Sequence, residues 1–101
     1  MNLVDIDDSH NLYLIRVYGV NTSFVKLGYS SSIKSRLNQY YSHNPLFELI
    51  GTYYRKDAKS FESKLHKNVE SIVMREWYQE KHLITILYLI ENGIPNRIKK
   101  K

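Results

Sequence analysis

Five residues between positions 13 and 62 have the chemical types that phosphodiester cleavage with a metal ion uses. They are Tyr13, Lys26, Gly28, Arg36 and Glu62. A phenol can carry a proton, cationic side chains can bind a phosphate, and a carboxylate can hold a divalent ion. The order of these residues therefore indicates hydrolysis of a phosphate ester, provided that the fold brings them together.

The first three belong to a predicted β-hairpin. Residues 11–18 and 24–29 are rich in β-branched, aliphatic and aromatic side chains, and a turn-like segment separates them. If residues 19–22 form the loop, Tyr13 pairs with Gly28 and Lys26 becomes a diagonal neighbour of Tyr13, roughly 7–8 Å away at the backbone. A loop one residue longer or shorter would send the tyrosine and the lysine to opposite faces. Gly28 is expected to leave open space beside Tyr13.

Arg36 and Glu62 belong to predicted helices. A run of serines precedes a helix over residues 33–41, on which Arg36 lies at the edge of the inner face. Asp57 is predicted to cap a second helix that runs to about residue 69. Glu62 lies on or beside the apolar face of that helix, where a carboxylate is costly unless it is paired or binds a cation.

The remaining pattern predicts an α+β fold. A third strand is expected over residues 46–54, an irregular segment over 70–79, and a third helix over 80–92 that stops at Gly93. The strands carry apolar residues on both faces, so the prediction is a three-stranded antiparallel sheet flanked by about three helices. Residues 1–95 form the single domain, and residues 96–101 form a basic tail.

Composition narrows the class of protein. The chain has 101 residues, 43% of them hydrophobic, and it has no cysteine, which excludes disulfides and zinc–thiolate sites. Its longest largely apolar run, residues 83–90, is far shorter than the roughly 20 residues that span a bilayer. The acidic start does not resemble a signal peptide. A net charge of +5 favours an anionic partner, DNA above all, and we expect an intracellular protein of the cytoplasm or nucleus.

The chain resembles the GIY-YIG nuclease family, in particular its short stand-alone branch from phages, large DNA viruses and bacteria. The resemblance covers about residues 11–92 and rests on the following matches: Asn11-Leu12-Tyr13, Lys26-Leu27-Gly28, Arg36, Glu62, Leu65-His66 and Glu76-Trp77-Tyr78. The first triplet lacks the signature glycine, and Lys26 stands where the second signature tyrosine is found. The resemblance implies metal-dependent cleavage of DNA, with a single Mg2+ or Mn2+ as cofactor.

The resemblance also implies a role for each residue, beside which a structural role stays open. Glu62 would hold the metal ion, or pair with a nearby cation instead. Arg36 would bind the scissile phosphate, or be solvated. Tyr13 would deprotonate the attacking water, for which its pKa must fall from about 10 to about 7, a preference of roughly 4 kcal/mol. Lys26 would supply positive charge or shuttle the proton itself. For Tyr13 and for Lys26, the alternative is a packing role on the sheet.

Other residues are supporting candidates. Gly28, Tyr29, Tyr40 and His66 would shape the site or orient its groups, whereas Trp77 is expected in the core. Four lysines would track DNA phosphates without reading sequence: Lys34, Lys59, Lys64 and Lys67.

Three functions are compatible with this pattern. The first is a Mg2+-dependent DNA endonuclease of low sequence specificity. The second is a nucleic-acid-binding module on the same fold without catalysis, because Lys26 departs from the signature. The third is a protein-interaction subunit that forms a homodimer through the apolar helix at residues 80–92.

Overall fold

The fold is an antiparallel sheet with helices on both faces. The structure, a computed structural model, describes residues 6–19, 22–43, 47–69 and 77–94. Its elements in chain order are β1 (Leu12–Gly19), β2 (Thr22–Tyr29), α1 (Ile33–His43), β3 (Glu48–Tyr53), α2 (Ala58–Asn68), β4 (Trp77–Gln79), a 3-10 turn (Glu80–His82) and α3 (Leu83–Asn92). Asn44, Pro45, Glu76 and the basic tail lie outside the described residues.

The register of the β1–β2 hairpin is the predicted one. Tyr13 pairs with Gly28, and Ile15 pairs with Lys26. The ladder extends one pair further than expected, to Gly19 and Thr22, which leaves only residues 20 and 21 between the strands. Tyr13 and Lys26 therefore lie on the same face of the sheet.

The sheet has four strands in the order β3-β1-β2-β4, so the prediction of three strands is wrong. The additional strand is β4, which pairs antiparallel with β2 and places Trp77 opposite Lys26. A strand of three residues is too short to show an alternating pattern, which is why this segment was expected to be irregular. The α+β class is confirmed.

One face of the sheet is covered by α1. Ile33 and Leu37 on that helix are buried against Tyr13 and Ile15 of β1, together with Phe47. Because successive strand residues point to opposite faces, this is also the face on which Lys26 and Gly28 lie.

The other face is covered by α2 and α3. Four buried strand residues contribute to this core: Leu12, Leu14, Val25 and Leu27. Four apolar residues of α2 and its C-terminal end are buried on it: Ala58, Phe61, Leu65 and Val69. Ile86 and Ile90 of α3 complete this layer.

Two helix ends differ from expectation. Asp57 is the N-cap of α2, but its carboxylate makes no capping hydrogen bond and instead accepts from Arg55 Nε at 2.8 Å. The third helix begins with the 3-10 turn and becomes α-helical at Leu83. It ends as predicted at Gly93, whose φ of 83° suits glycine.

Arg16 joins three parts of the sheet. Its guanidinium donates to both carboxylate oxygens of Glu80, at 2.9 and 2.8 Å, and to Glu48 at 2.8 Å. Ser23 of β2 donates to the same Glu80 carboxylate at 2.7 Å. The segment after β4 is thereby attached to β1 and β2.

None of the helices in the described ranges is long and apolar enough to cross a membrane.

Candidate functional site

The ring of Tyr13 occupies the space where a side chain at position 28 would begin. A Cβ atom placed on that glycine would come within 2.2 Å of Cζ of the tyrosine ring. The space that the sequence led us to expect beside Tyr13 is therefore filled by the ring of Tyr13 itself. The tyrosine is only 2% exposed, so the ring cannot move aside easily.

The hydroxyl of Tyr13 reaches a second phenol. It donates to the hydroxyl of Tyr40 across 3.3 Å, and the two ring centroids are 5.8 Å apart. Tyr40 lies on α1, one helical turn after Arg36, and is half-buried. Tyr40, expected as a supporting residue, thus links the buried hydroxyl of Tyr13 to a partly solvent-accessible phenol.

Burial raises the pKa of Tyr13 above its ordinary value, and the hydrogen bond to Tyr40 raises it further. The charge of Arg36 lowers this pKa and that of Glu62 raises it, by smaller amounts. A phenol that accepts a proton at neutral pH needs the opposite shift, whereas burial favours the neutral, protonated form of Tyr13. Charges on two different helices, Arg36 on α1 and Glu62 on α2, therefore bear on the pKa of this phenol in opposite directions.

Lys26 holds its ammonium between two aromatic rings. Nζ lies 5.0 Å from the ring centroid of Tyr40 and 5.5 Å from that of Trp77. Such cation–π contacts stabilise a charged ammonium. Trp77, expected as a core residue, is half-buried and contacts a candidate site residue.

Arg36 is exposed at the edge of an open pocket of about 380 Å³. Gln39, Tyr40 and His43 line this pocket with it. Sequence reasoning did not single out Gln39 and His43. Their spacing from Arg36 places them on the same side of α1, and this could have revealed them.

Glu62 is half-buried on α2, directly after the core residue Phe61. One turn later, His66 stacks on Tyr78, with ring centroids 5.8 Å apart and planes 7° from parallel. Nδ1 of His66 is hydrogen-bonded to the hydroxyl of Tyr78. This contact attaches the helix that carries Glu62 to β4, which carries Trp77.

The donor set at Glu62 suits a magnesium-type ion. Within the described ranges, no three His, Asp or Glu side chains form a metal-binding group. Mg2+ does not require one, since it keeps several waters and often takes one or two carboxylates and a substrate phosphate. A single partly accessible carboxylate, as at Glu62, could hold such an ion.

The other predicted residues lie outside this cluster. Tyr29 follows Gly28 on β2, so it lies on the sheet face opposite Tyr13, and it is 36% exposed. Lys34 is half-buried on α1. Three lysines are exposed on α2: Lys59, Lys64 and Lys67.

The family of the chain follows from its match to the T5orf172 domain, which covers residues 11–91. The chain belongs to the T5orf172 domain family. The resemblance to the GIY-YIG nucleases is therefore a wrong assignment, because the matching family is a distinct one. It rested on ordered single residues, and both signature triplets were only partly kept. No curated protein and no solved structure matches this T5orf172 domain.

The name of the family specifies no reaction and no ligand. The chemistry open to this T5orf172 domain depends on the cluster of Tyr13, Lys26, Arg36, Tyr40 and Glu62.

Proposed function

We propose that this T5orf172 domain is a metal-dependent endonuclease that hydrolyses DNA phosphodiester bonds by attack of water, with low intrinsic sequence specificity. The observation that carries the proposal is the hydrogen bond from the buried hydroxyl of Tyr13 to Tyr40, which lines an open pocket together with Arg36. The charges of Arg36 and Glu62 both act on the pKa of this phenol. A cation for the phosphate, a carboxylate for a metal ion and a hydroxyl for proton transfer then serve one reaction centre.

Arg36 binds the scissile phosphate. Its guanidinium is exposed at the pocket on α1, where it can donate two parallel hydrogen bonds to phosphate oxygens. Charge develops on those oxygens as water attacks phosphorus and the bond to the leaving oxygen breaks, so Arg36 stabilises the transition state more than the bound substrate.

Glu62 holds the divalent ion, Mg2+ or Mn2+. When bound, the ion supplies positive charge that polarises the phosphate and favours ionised oxygen groups beside it. Positive charge held by Glu62 would lower the pKa of a nearby phenol, opposite to the effect of burial on the pKa of Tyr13.

Tyr13 and Tyr40 move the proton. Tyr13 passes its own proton along the hydrogen bond to Tyr40, which is half-buried and releases one to solvent. Tyr13 then accepts the proton of the attacking water. The ammonium of Lys26, held over Tyr40, stabilises negative charge on this pair of phenols.

DNA approaches over the basic helix surface around the cluster. The chain carries a net charge of +5, and Lys59 lies one turn before Glu62 on α2. Such phosphate contacts bind DNA without reading its sequence, which supports low specificity.

A second candidate is a DNA-binding module without catalysis. It is favoured by the raised pKa of Tyr13, since a buried neutral phenol is a poor proton acceptor. In this function Arg36 and the lysines bind phosphates, and Tyr13 stabilises the fold.

Cleavage of supercoiled plasmid in Mg2+ at low salt separates the two. Wild type is compared with Glu62→Ala, with a chelator control, and with Asp8→Ala, which removes an exposed carboxylate that is not part of the cluster. The endonuclease predicts nicking by wild type and Asp8→Ala only, with DNA binding kept in all three. Binding by all three without nicking by any would support the second candidate.

A further inference from the structure

The outer side of α3 exposes apolar side chains. Ile84 is 80% exposed and Tyr88 is 63% exposed, although Ile86 and Ile90 on the same helix are buried in the core. Ile84 and Tyr88 are four residues apart, so they lie next to each other on the helix surface.

Two opposite charges lie beyond this apolar pair. Lys81 in the 3-10 turn and Glu91 near the end of α3 are both exposed. Within the described part of the chain, neither of them takes part in an ion pair. Lys81, Ile84, Tyr88 and Glu91 are spaced three, four and three residues apart, so they form one stripe, which we call the α3 outer face.

The α3 outer face is symmetric about Ile86. Ile84 and Tyr88 lie two residues to either side of Ile86, and Lys81 and Glu91 lie five residues to either side. A two-fold axis at Ile86 would pair each residue of the stripe with its counterpart on an antiparallel copy. Ile84 would then contact Tyr88 of the other copy, and Lys81 would contact Glu91 of the other copy.

We propose that this chain forms a homodimer in which the α3 outer faces of two copies pack antiparallel. The charges select this orientation, because a parallel pair would bring Lys81 against Lys81 and Glu91 against Glu91. The surface is self-complementary, as a two-fold interface requires. This inference does not depend on the proposed hydrolysis.

Residues beside the α3 outer face would enlarge the dimer interface. Leu87 is half-buried beside the stripe and lines a cleft of about 570 Å³ with Tyr53 and Tyr54. Tyr54 is itself 61% exposed. Because a ten-residue helix offers less than the roughly 800 Å² per partner of a standard interface, the dimer is expected to be concentration-dependent.

Sedimentation velocity of the full chain, measured up to about 1 mM, tests the proposal. At that concentration half of the protomers would be paired even for a Kd of about 1 mM. Wild type is expected to dimerise, and Ile84→Glu is expected to remain monomeric. The single reversals Lys81→Glu and Glu91→Lys each place like charges together, so each is expected to weaken the dimer about tenfold or more. The double reversal is expected to restore it.

Circular dichroism of each variant verifies the fold. The variant Thr85→Glu adds a charge at an exposed position beside the stripe, so it shows the effect of added charge alone. A monomeric wild type would overturn the proposal, as would a dimer that tolerates Ile84→Glu. A dimer broken by Ile84→Glu but not rescued by the double reversal would overturn the antiparallel arrangement.

Discussion

At the scale of single residues, Tyr13 shows why residue type alone does not define a catalytic group. The sequence predicted its place on β1 and its pairing with Gly28, because both follow from the alternation of a hairpin. Its burial and its bond to Tyr40 depend on how α1 packs on the sheet, which no local pattern encodes. Those tertiary contacts shift its pKa upward, opposite to the predicted requirement.

The raised pKa of Tyr13 predicts a loss of stability in alkali. The folded chain keeps the proton at a pH where the unfolded chain, with its ordinary pKa of 10.0, has lost it. The free energy of unfolding should therefore fall as pH rises above about 10. Tyr53, whose pKa burial also raises, contributes in the same direction. Urea unfolding over this range should show a shallower fall for Tyr13→Phe, and an unchanged fall would contradict the burial of this phenol.

Gly28→Ala should destabilise the fold by about 1–3 kcal/mol, because the added methyl group overlaps a buried ring. Denaturant unfolding measures this cost. The control is the same substitution in a Tyr13→Ala background, where the ring is absent and the cost should be smaller. Equal costs in both backgrounds would show that the ring of Tyr13 does not lie across Gly28.

At the scale of elements, the position of Trp77 beside Lys26 depends on the pairing of β4 with the edge of the sheet. Helix positions were predicted well, because caps and apolar periodicity are local signals: α2 begins after Asp57 and α3 ends before Gly93. The strand β4 was missed, and with it the placement of Trp77 beside Lys26. Arg16, which holds the segment after β4, carried no signal in the sequence, since its two carboxylate partners are distant along the chain.

Arg16→Met should lower stability by about 1 kcal/mol or less, because its partners are partly solvent-exposed. The hydrogen bond from Arg16 lowers the pKa of the Glu80 carboxyl below its ordinary value. Glu80 therefore adds stability above its unfolded pKa, and this is lost as pH falls through the lowered pKa. Unfolding measured from about pH 7 to about pH 3 should show a weaker acid dependence for Arg16→Met. An identical acid dependence would show that the pair is not formed.

At the scale of the whole molecule, the proposed binding of DNA depends on the net charge of +5 and on the surface lysines. The sequence predicted an α+β domain with both sheet faces covered, and the two core clusters confirm it. The family assignment failed because a few ordered residue types are less specific than a match along residues 11–91.

DNA affinity should fall steeply with salt, since lysine contacts release counterions. Lys59 lies on the side of α2 that carries Glu62, whereas Lys64 lies well around the helix from it. Lys59→Ala should reduce the slope of log affinity against log salt by about one, and Lys64→Ala should change it less. Fluorescence anisotropy with a labelled duplex measures both, and equal effects would contradict this binding face.

The most direct test of the proposed hydrolysis is the single-turnover nicking rate in Mg2+ of wild type beside Glu62→Gln, at DNA concentrations that saturate both. The amide keeps the shape of the side chain but removes the charge that holds the ion. We predict a loss of about 100-fold or more in rate, with DNA affinity changed less than about twofold. Equal nicking rates would contradict the role of Glu62, and the absence of nicking by wild type would contradict the proposed activity itself.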